Sequence, residues 1–279
     1  MSNLPREEVQ KRVADGERLF GENLEGINLE GVSLEGAMFI RCNLRDAKLD
    51  RTNLDCAILR QCDLSGTVAR EASFREASMV NCNLTDADLS RSTFVEASLR
   101  GSMLVQCLLR EADLTQAFCT EVHGFLADFS GATLRRAVFN QAKLVVCLFD
   151  DARADLMMAV KVDFTGSSFA RATMDRAVLL GSNFSLADLG EAYMRGCPLK
   201  HANFFAADLH KVRFTKSNLE HARFLGANAQ EALINGVNLH AASLIDADFS
   251  GARFDASFLI EAKTDGTNFE GCSFQEARK

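Results

Sequence analysis

Leu24-Glu25-Gly26-Ile27-Asn28-Leu29-Glu30-Gly31-Val32-Ser33-Leu34-Glu35-Gly36-Ala37-Met38-Phe39 places a large apolar residue at every fifth position. The same spacing runs on through the chain. Of the 51 centre positions stepped by five from Leu24 to Phe274, 44 are Leu, Phe, Met or Ile, so the phase never slips. Three residues after each centre, from Ile27 to Ala277, 49 of 51 positions hold Ala, Cys, Ser, Thr or Val, the exceptions being Ile27 and Met157. Large and small side chains therefore alternate toward a core, and the other three positions are mostly polar. A period of five fits neither the helix, at about 3.6 residues per turn, nor the alternating strand. Self-similarity at a fixed short period marks a solenoid instead.

Ala87-Asp88-Leu89-Ser90-Arg91, Ala112-Asp113-Leu114-Thr115-Gln116 and Ala187-Asp188-Leu189-Gly190-Glu191 resemble the A(D/N)LXX unit of pentapeptide-repeat proteins. The resemblance covers roughly residues 22 to 277. It implies an all-β fold, a right-handed quadrilateral parallel β-helix with four pentapeptides per coil. The 51 units then give about thirteen coils and, with strands about 4.8 Å apart, a rod about 60 Å long. On this reading residues 1–21 are an N-terminal capping helix and lead-in, and residues 22–279 are a single β-helix domain.

Pro5 to Asp15 lie outside the repeat and read as a short helix. Pro5 suits the first turn, Glu7 and Glu8 favour its N-terminal dipole, Val9 and Val13 form an i, i+4 apolar pair, and Asp15-Gly16 is a stop. This helix, with Leu19 and Phe20, is expected to lie across the first coil and cover Leu24, Leu29 and Leu34. Only Gln275 to Lys279 follow Phe274, so the last coil, with Phe254, Leu259, Phe269 and Phe274, is expected to dimerise end to end with a second copy, the alternative being that the charged tail folds over that end. Of the 18 glycines, 16 fall two residues after a centre or in phase with that site. That site is therefore the corner, where a tight turn needs positive φ. Small centres occur in pairs at Cys119 with Gly124 and at Ala154 with Ala159, which predicts a bulge or bend near 119–126 and near 152–162.

The net charge of −7 and pI near 5.4 disfavour direct nucleic-acid binding, which needs a basic stripe. Seven of the nine cysteines occupy the small inward slot, where they replace Ala. Cys42, Cys62 and Cys82 recur at the same place in successive coils, which would permit a bridge. The favoured reading is a ladder of reduced core thiols in a cytoplasmic protein. The sequence shows no signal-peptide pattern and no run of about 18 apolar residues, so no membrane association is expected.

With four pentapeptides per coil, every fourth centre lies on one face. The residue after each centre on the face of Leu24 and Leu44 should point outward, yet Val105, Phe125, Val145, Phe205, Leu225 and Ile245 are all apolar. A contiguous apolar strip marks a partner site. The competing reading is local, with Phe125 turning inward to fill the gap at Gly124. The neighbouring face adds Val138, Met158, Val160, Val178 and Leu180. A third face carries Arg135, Arg136, Arg153, Arg176, Arg195, Arg213 and Lys216 and reads as solvated. His201 and His221 stack, with His240 and Glu261 nearby, in a flat geometry poor for tetrahedral metal binding.

No nucleotide-binding, nucleophile-elbow or metalloprotease motif occurs, and a solid-cored rod offers no substrate pocket. No catalytic, cofactor-binding or metal residue is assigned. The leading expectation is a non-enzymatic protein–protein interaction scaffold using its side walls. The lead-in Pro5-Arg6-Glu7-Glu8-Val9, continuing to Gly26, is similar to that before pentapeptide modules beside bacterial type VI secretion genes, which extends the expectation to a secretion accessory or adaptor. The alternative is a DNA-mimicking protein that binds gyrase and protects it from quinolones, as the family's best-known members do. The unbroken phase leaves no room for their projecting loops, no terminal helix follows Phe274, and the arginine-bearing face departs from an acidic surrogate.

Overall fold

The computed structural model describes residues 4–278. The chain divides into two compact units, Met1–Val138 and Phe139–Lys279. In both, each segment pairs in parallel with its equivalent in the next coil, as Asn23 does with Asn43 and Lys143 with Asp163, so the fold is a β-helix solenoid.

The first unit opens with α1 (Arg6–Ala14), which carries Glu7 and Glu8 in its first turn and Lys11 and Arg12 in its last. Each charge opposes the helix dipole at its own end. The helix stops where Gly16, at φ +73, donates to Val13 O at 3.0 Å and Glu17 N donates to Arg12 O at 2.8 Å. This pair of bonds satisfies the last carbonyls and needs a left-handed residue between them, which Gly supplies. Arg6 Nη2 donates to Glu30 O at 3.2 Å, and Arg12 pairs with Glu22 at 2.9 Å. The helix is thereby tied at both ends to the first coil, with Val9, Leu24, Leu29 and Leu34 buried. Phe20 departs from the expected cap. Leu19 is buried, but Phe20 follows it on a strand, points the other way and is 58% exposed.

Strands β1 (Arg18–Phe20), β2 (Met38–Ile40) and β3 (Ile58–Arg60) form a parallel sheet in which Leu19 faces Phe39 and Phe39 faces Leu59. Single parallel bridges continue this register to Phe118↔Val138. β4 (His123–Phe125) completes the strands of the first unit, and β5 (Lys143–Val145) begins those of the second. Bridges in the second unit run from Lys143↔Asp163 to Phe258↔Arg278.

One pentapeptide shows why the sequence takes this form. Ala87 N closes the preceding corner on Leu84 O at 3.2 Å. Asp88 N reaches back one coil to Thr67 O at 2.9 Å, while Leu89 N and Arg91 N reach forward to Leu108 O and Arg110 O, both at 2.8 Å. Ser90 N, the one donor without a backbone partner, donates to Asp88 Oδ1 at 3.1 Å. All five donors are thus satisfied inside the repeat. The Asp or Asn before each centre is selected because its side chain caps the turn. The corner residue is left-handed at every fifth position from Gly16 to Glu276, in 16 glycines and 37 other residues.

Some corners do not close on themselves. Cys82 N donates to Ser102 Oγ at 2.9 Å, and that hydroxyl donates to Met79 O at 2.7 Å. In the second unit Ser217 does the same for Cys197 N and Met194 O. A buried hydroxyl from the next coil therefore replaces the missing turn bond.

Every centre from Leu24 to Leu259 is buried. In the first unit Phe74 stacks on Phe94 at 4.8 Å. In the second, Phe164, Phe184, Phe204 and Phe224 form a continuous stack at 5.1, 5.3 and 5.0 Å. The bulges expected near 119–126 and 152–162 are absent, because Met103↔His123, Leu108↔Asp128, Arg153↔Thr173 and Met158↔Val178 keep the coil-to-coil register. Met157, fully buried in the small slot between Ala154 and Ala159, supplies the volume those centres lack.

Candidate interaction surface

In the second unit the outward column contains Val145, Phe205, Leu225 and Ile245. Phe205 is 44% exposed and Leu225 37%, while Val145 and Ile245 are half-buried. The register lends this column two further apolar residues at the adjoining corner, Val146 and Leu186. Leu186 is 60% exposed and sits at φ +59, and Val146 sits at φ +54. A left-handed backbone costs about 1–2 kcal/mol for a residue with a side chain. Other non-glycine corners take the same conformation, so it is the exposed apolar side chain that sets these two apart. Leu186, Phe205, Leu225 and Ile245 occupy four successive coils, an apolar edge about 14 Å long at a strand spacing of about 4.8 Å. On the neighbouring face Met158 and Leu180 are exposed, with Val160 and Val178 half-buried beside them.

The first unit carries its own shorter apolar set. Val105 is half-buried, and Phe125 is 49% exposed beside the buried Gly124, so its ring does not turn inward. Leu126, at the next corner, is also exposed and left-handed. Leu126, Val146 and Leu186 are absent from the reading of the outward column. The signal for them is a large aliphatic residue at the position that elsewhere holds 16 glycines.

The pentapeptide-repeat family profile matches residues 23–55, 57–94 and 92–123, and a second profile for a pentapeptide repeat region matches residues 167–244. The chain belongs to the pentapeptide-repeat proteins. No curated protein matches it. Among solved structures it is similar to a trypsin-treated variant of QnrB1, a plasmid-mediated fluoroquinolone resistance protein. That match has 19% identity and a TM-score of 0.47, covering 62% of this chain and 89% of the other. It is also similar to HetL, a pentapeptide-repeat protein involved in heterocyst differentiation regulation in the cyanobacterium Nostoc sp. Strain PCC 7120. Here identity is 24% and the TM-score 0.30, with 100% and 95% of the two chains covered. A pentapeptide-repeat protein from the thylakoid lumen of Arabidopsis thaliana matches at 26% identity and a TM-score of 0.21, covering 40% of this chain and 64% of that one.

Several polar clusters of this pentapeptide-repeat chain are held by its own groups. His201 and His221 stack with ring centroids 5.0 Å apart and 4° between planes, so their nitrogens do not converge. Glu220 is drawn to Lys200 at 2.9 Å, which holds its carboxyl below the usual range. Asp188, Asp208 and His210 come together on one face, where Gly190 leaves room for the imidazole. A Cβ there would collide with His210 Cε1. Asp208 Oδ1 already accepts from His210 N, from Asn228 Nδ2 and, at 3.0 Å, from His210 Nδ1, which closes the turn as the other Asx residues do. Cys42, Cys56, Cys62, Cys82, Cys107, Cys119 and Cys197 are free thiols. Burial pushes the Cys119 and Cys197 thiols up to about 12, so they stay protonated and unreactive. Arg135 and Arg136 in the first unit, and Arg153, Arg176, Arg195, Arg213 and Lys216 in the second, are exposed. No helix among the described residues is long and apolar enough to cross a membrane.

Proposed function

We propose that the chain is a non-enzymatic protein–protein interaction scaffold, a quadrilateral β-helix of about thirteen coils, and that a partner protein docks on the apolar edge of its second unit. The observation that carries this is Leu186, the most exposed large apolar side chain among the described residues, at a corner beside Phe205 and Leu225. A continuous exposed apolar edge points to a use other than folding. The shorter set of Val105 and Phe125 in the first unit is a second, weaker contact. The test is affinity capture from the native cell with wild type and with the double variant Leu186→Asp/Leu225→Asp. A partner retained by both proteins sinks the assignment, and so does loss of fold in the variant.

A second copy of the chain is the proposed cover for the last coil. Phe254 and Leu259 are buried within their own unit, whereas Phe269 and Phe274 are half-buried around a depression of about 240 Å³. Light scattering of wild type against Phe274→Asp decides it, a dimer that survives the substitution counting against the contact. The secretion role rests on the lead-in alone, and the identity of the captured partner decides it. Protection of gyrase supercoiling from a quinolone at equimolar protein would place the DNA-mimic reading first.

A further inference from the structure

Within the first unit, Phe20, Ile40, Arg60 and Val80 line an open groove of about 590 Å³ in one column, with Arg18 and Arg41 beside them. Several arginines of this unit are matched by acids one coil up or down: Arg51 with Glu71 at 3.2 Å, Arg70 with Asp50 at 3.0 Å and Arg91 with Glu111 at 3.1 Å. Those of the groove are not. Among the described residues none of its three arginines has a carboxylate partner, and no Asp or Glu lines it. Arg41 Nε donates to Gln61 Oε1 at 2.9 Å, which steadies the guanidinium and uses only one of its donors. Three unmatched cations, set among apolar side chains with Phe20 58% exposed, form a site of the opposite sign to the chain's net charge of −7.

We propose that this groove receives a short extended segment of a partner protein in which carboxylates alternate with large apolar side chains. The carboxylates lie against Arg18, Arg41 and Arg60, where guanidinium forks pair with carboxylates in two-pronged bonds. The apolar side chains lie on Phe20, Ile40 and Val80. From Phe20 to Val80 is three coil rises, about 14 Å, the span of about four or five extended residues. A nucleic acid fits less well, because its phosphates continue past the groove onto coils that carry Glu and Asp. This site is separate from the apolar edge of the second unit and does not depend on it.

The test uses the full chain and a fluorescein-labelled peptide DLEFDLE, followed by fluorescence anisotropy. The neutral peptide NLQFNLQ and a single-stranded thymidine oligonucleotide serve as comparisons. Saturable binding of the acidic peptide is expected, weakened about tenfold or more in Arg18→Glu/Arg60→Glu and in Phe20→Ser, and weakened as salt rises from about 50 to about 300 mM. Leu225→Asp should bind the peptide as wild type does, which separates this outcome from failure of the scaffold reading. Should the charge-reversed protein not fold, Arg41→Gln/Arg60→Gln takes its place. No saturable binding of the acidic peptide, equal binding of the neutral one, undiminished binding by the arginine variants, or binding of the oligonucleotide alone overturns the proposal.

Discussion

Ser217→Ala tests how an open corner is held. The Ser217 hydroxyl accepts from Cys197 N at 2.8 Å and donates to Met194 O at 2.6 Å, and it is buried. Its removal leaves a buried amide with no acceptor, a loss of about 1–3 kcal/mol. Thr52→Val is the matched comparison. Thr52 Oγ1 donates to Leu29 O at 2.8 Å, but that carbonyl also accepts the corner bond from Val32 N at 3.0 Å, so only one ordinary hydrogen bond is lost. That change should cost about 0.5–1.5 kcal/mol at most. Urea unfolding of both variants gives the two costs, and hydrogen exchange at the Cys197 amide reports the orphaned donor. The expected result is a larger loss in Ser217→Ala with faster exchange at Cys197. If the two variants cost the same and the Cys197 amide stays protected, the corner has closed on Met194 O instead, and the bridging hydroxyl is not what holds it.

Leu84→Asp should abolish the folded state, because it replaces a fully buried centre worth about 1.5–3 kcal/mol with an unpaired charge; circular dichroism suffices to see it. Phe184→Ala removes a ring stacked between Phe164 and Phe204 and should cost about 3–5 kcal/mol, whereas Phe184→Leu should cost distinctly less in the same urea experiment. Asp128 gives a pH test. Burial opposes its ionisation, but hydrogen bonds from Ser130 and Arg110 outweigh that and hold its carboxyl below the usual range. A depressed native pKa contributes stability above the unfolded value and loses it as pH falls through the native one. Thermal melts of wild type should therefore fall more steeply below about pH 4 than those of Asp128→Asn. Parallel curves would show that the Arg110 pair adds nothing.

The period of five was legible because the core admits only alternating large and small side chains, and the glycines at every phase of Gly16 betrayed the corner. The left-handed corner itself tolerates Arg41, Glu71 or Leu186, so composition there is permissive, and the apolar residues it holds were easy to pass over. The paired small centres Ala154 and Ala159 looked like a break in the core. Met157 fills the space from the neighbouring slot, a compensation visible only once burial is known. Phe20 is the opposite case, a large apolar residue beside the capping helix that strand alternation turns outward. The groove of Arg18, Arg41 and Arg60 comes from three different repeat positions brought together by stacking, and no single column of the sequence displays it.

Within each unit, the pairing of a coil with the next also constrains how such a chain can be altered. Loss or gain of a single pentapeptide preserves the core, since large and small still alternate, but moves every later outward residue to the next face. Leu186 would then no longer lie in line with Val146, nor Phe20 with Ile40. Only the gain or loss of a whole coil changes the length and leaves the recognition features in register, so inheritance of a docking edge and inheritance of the fold obey different arithmetic.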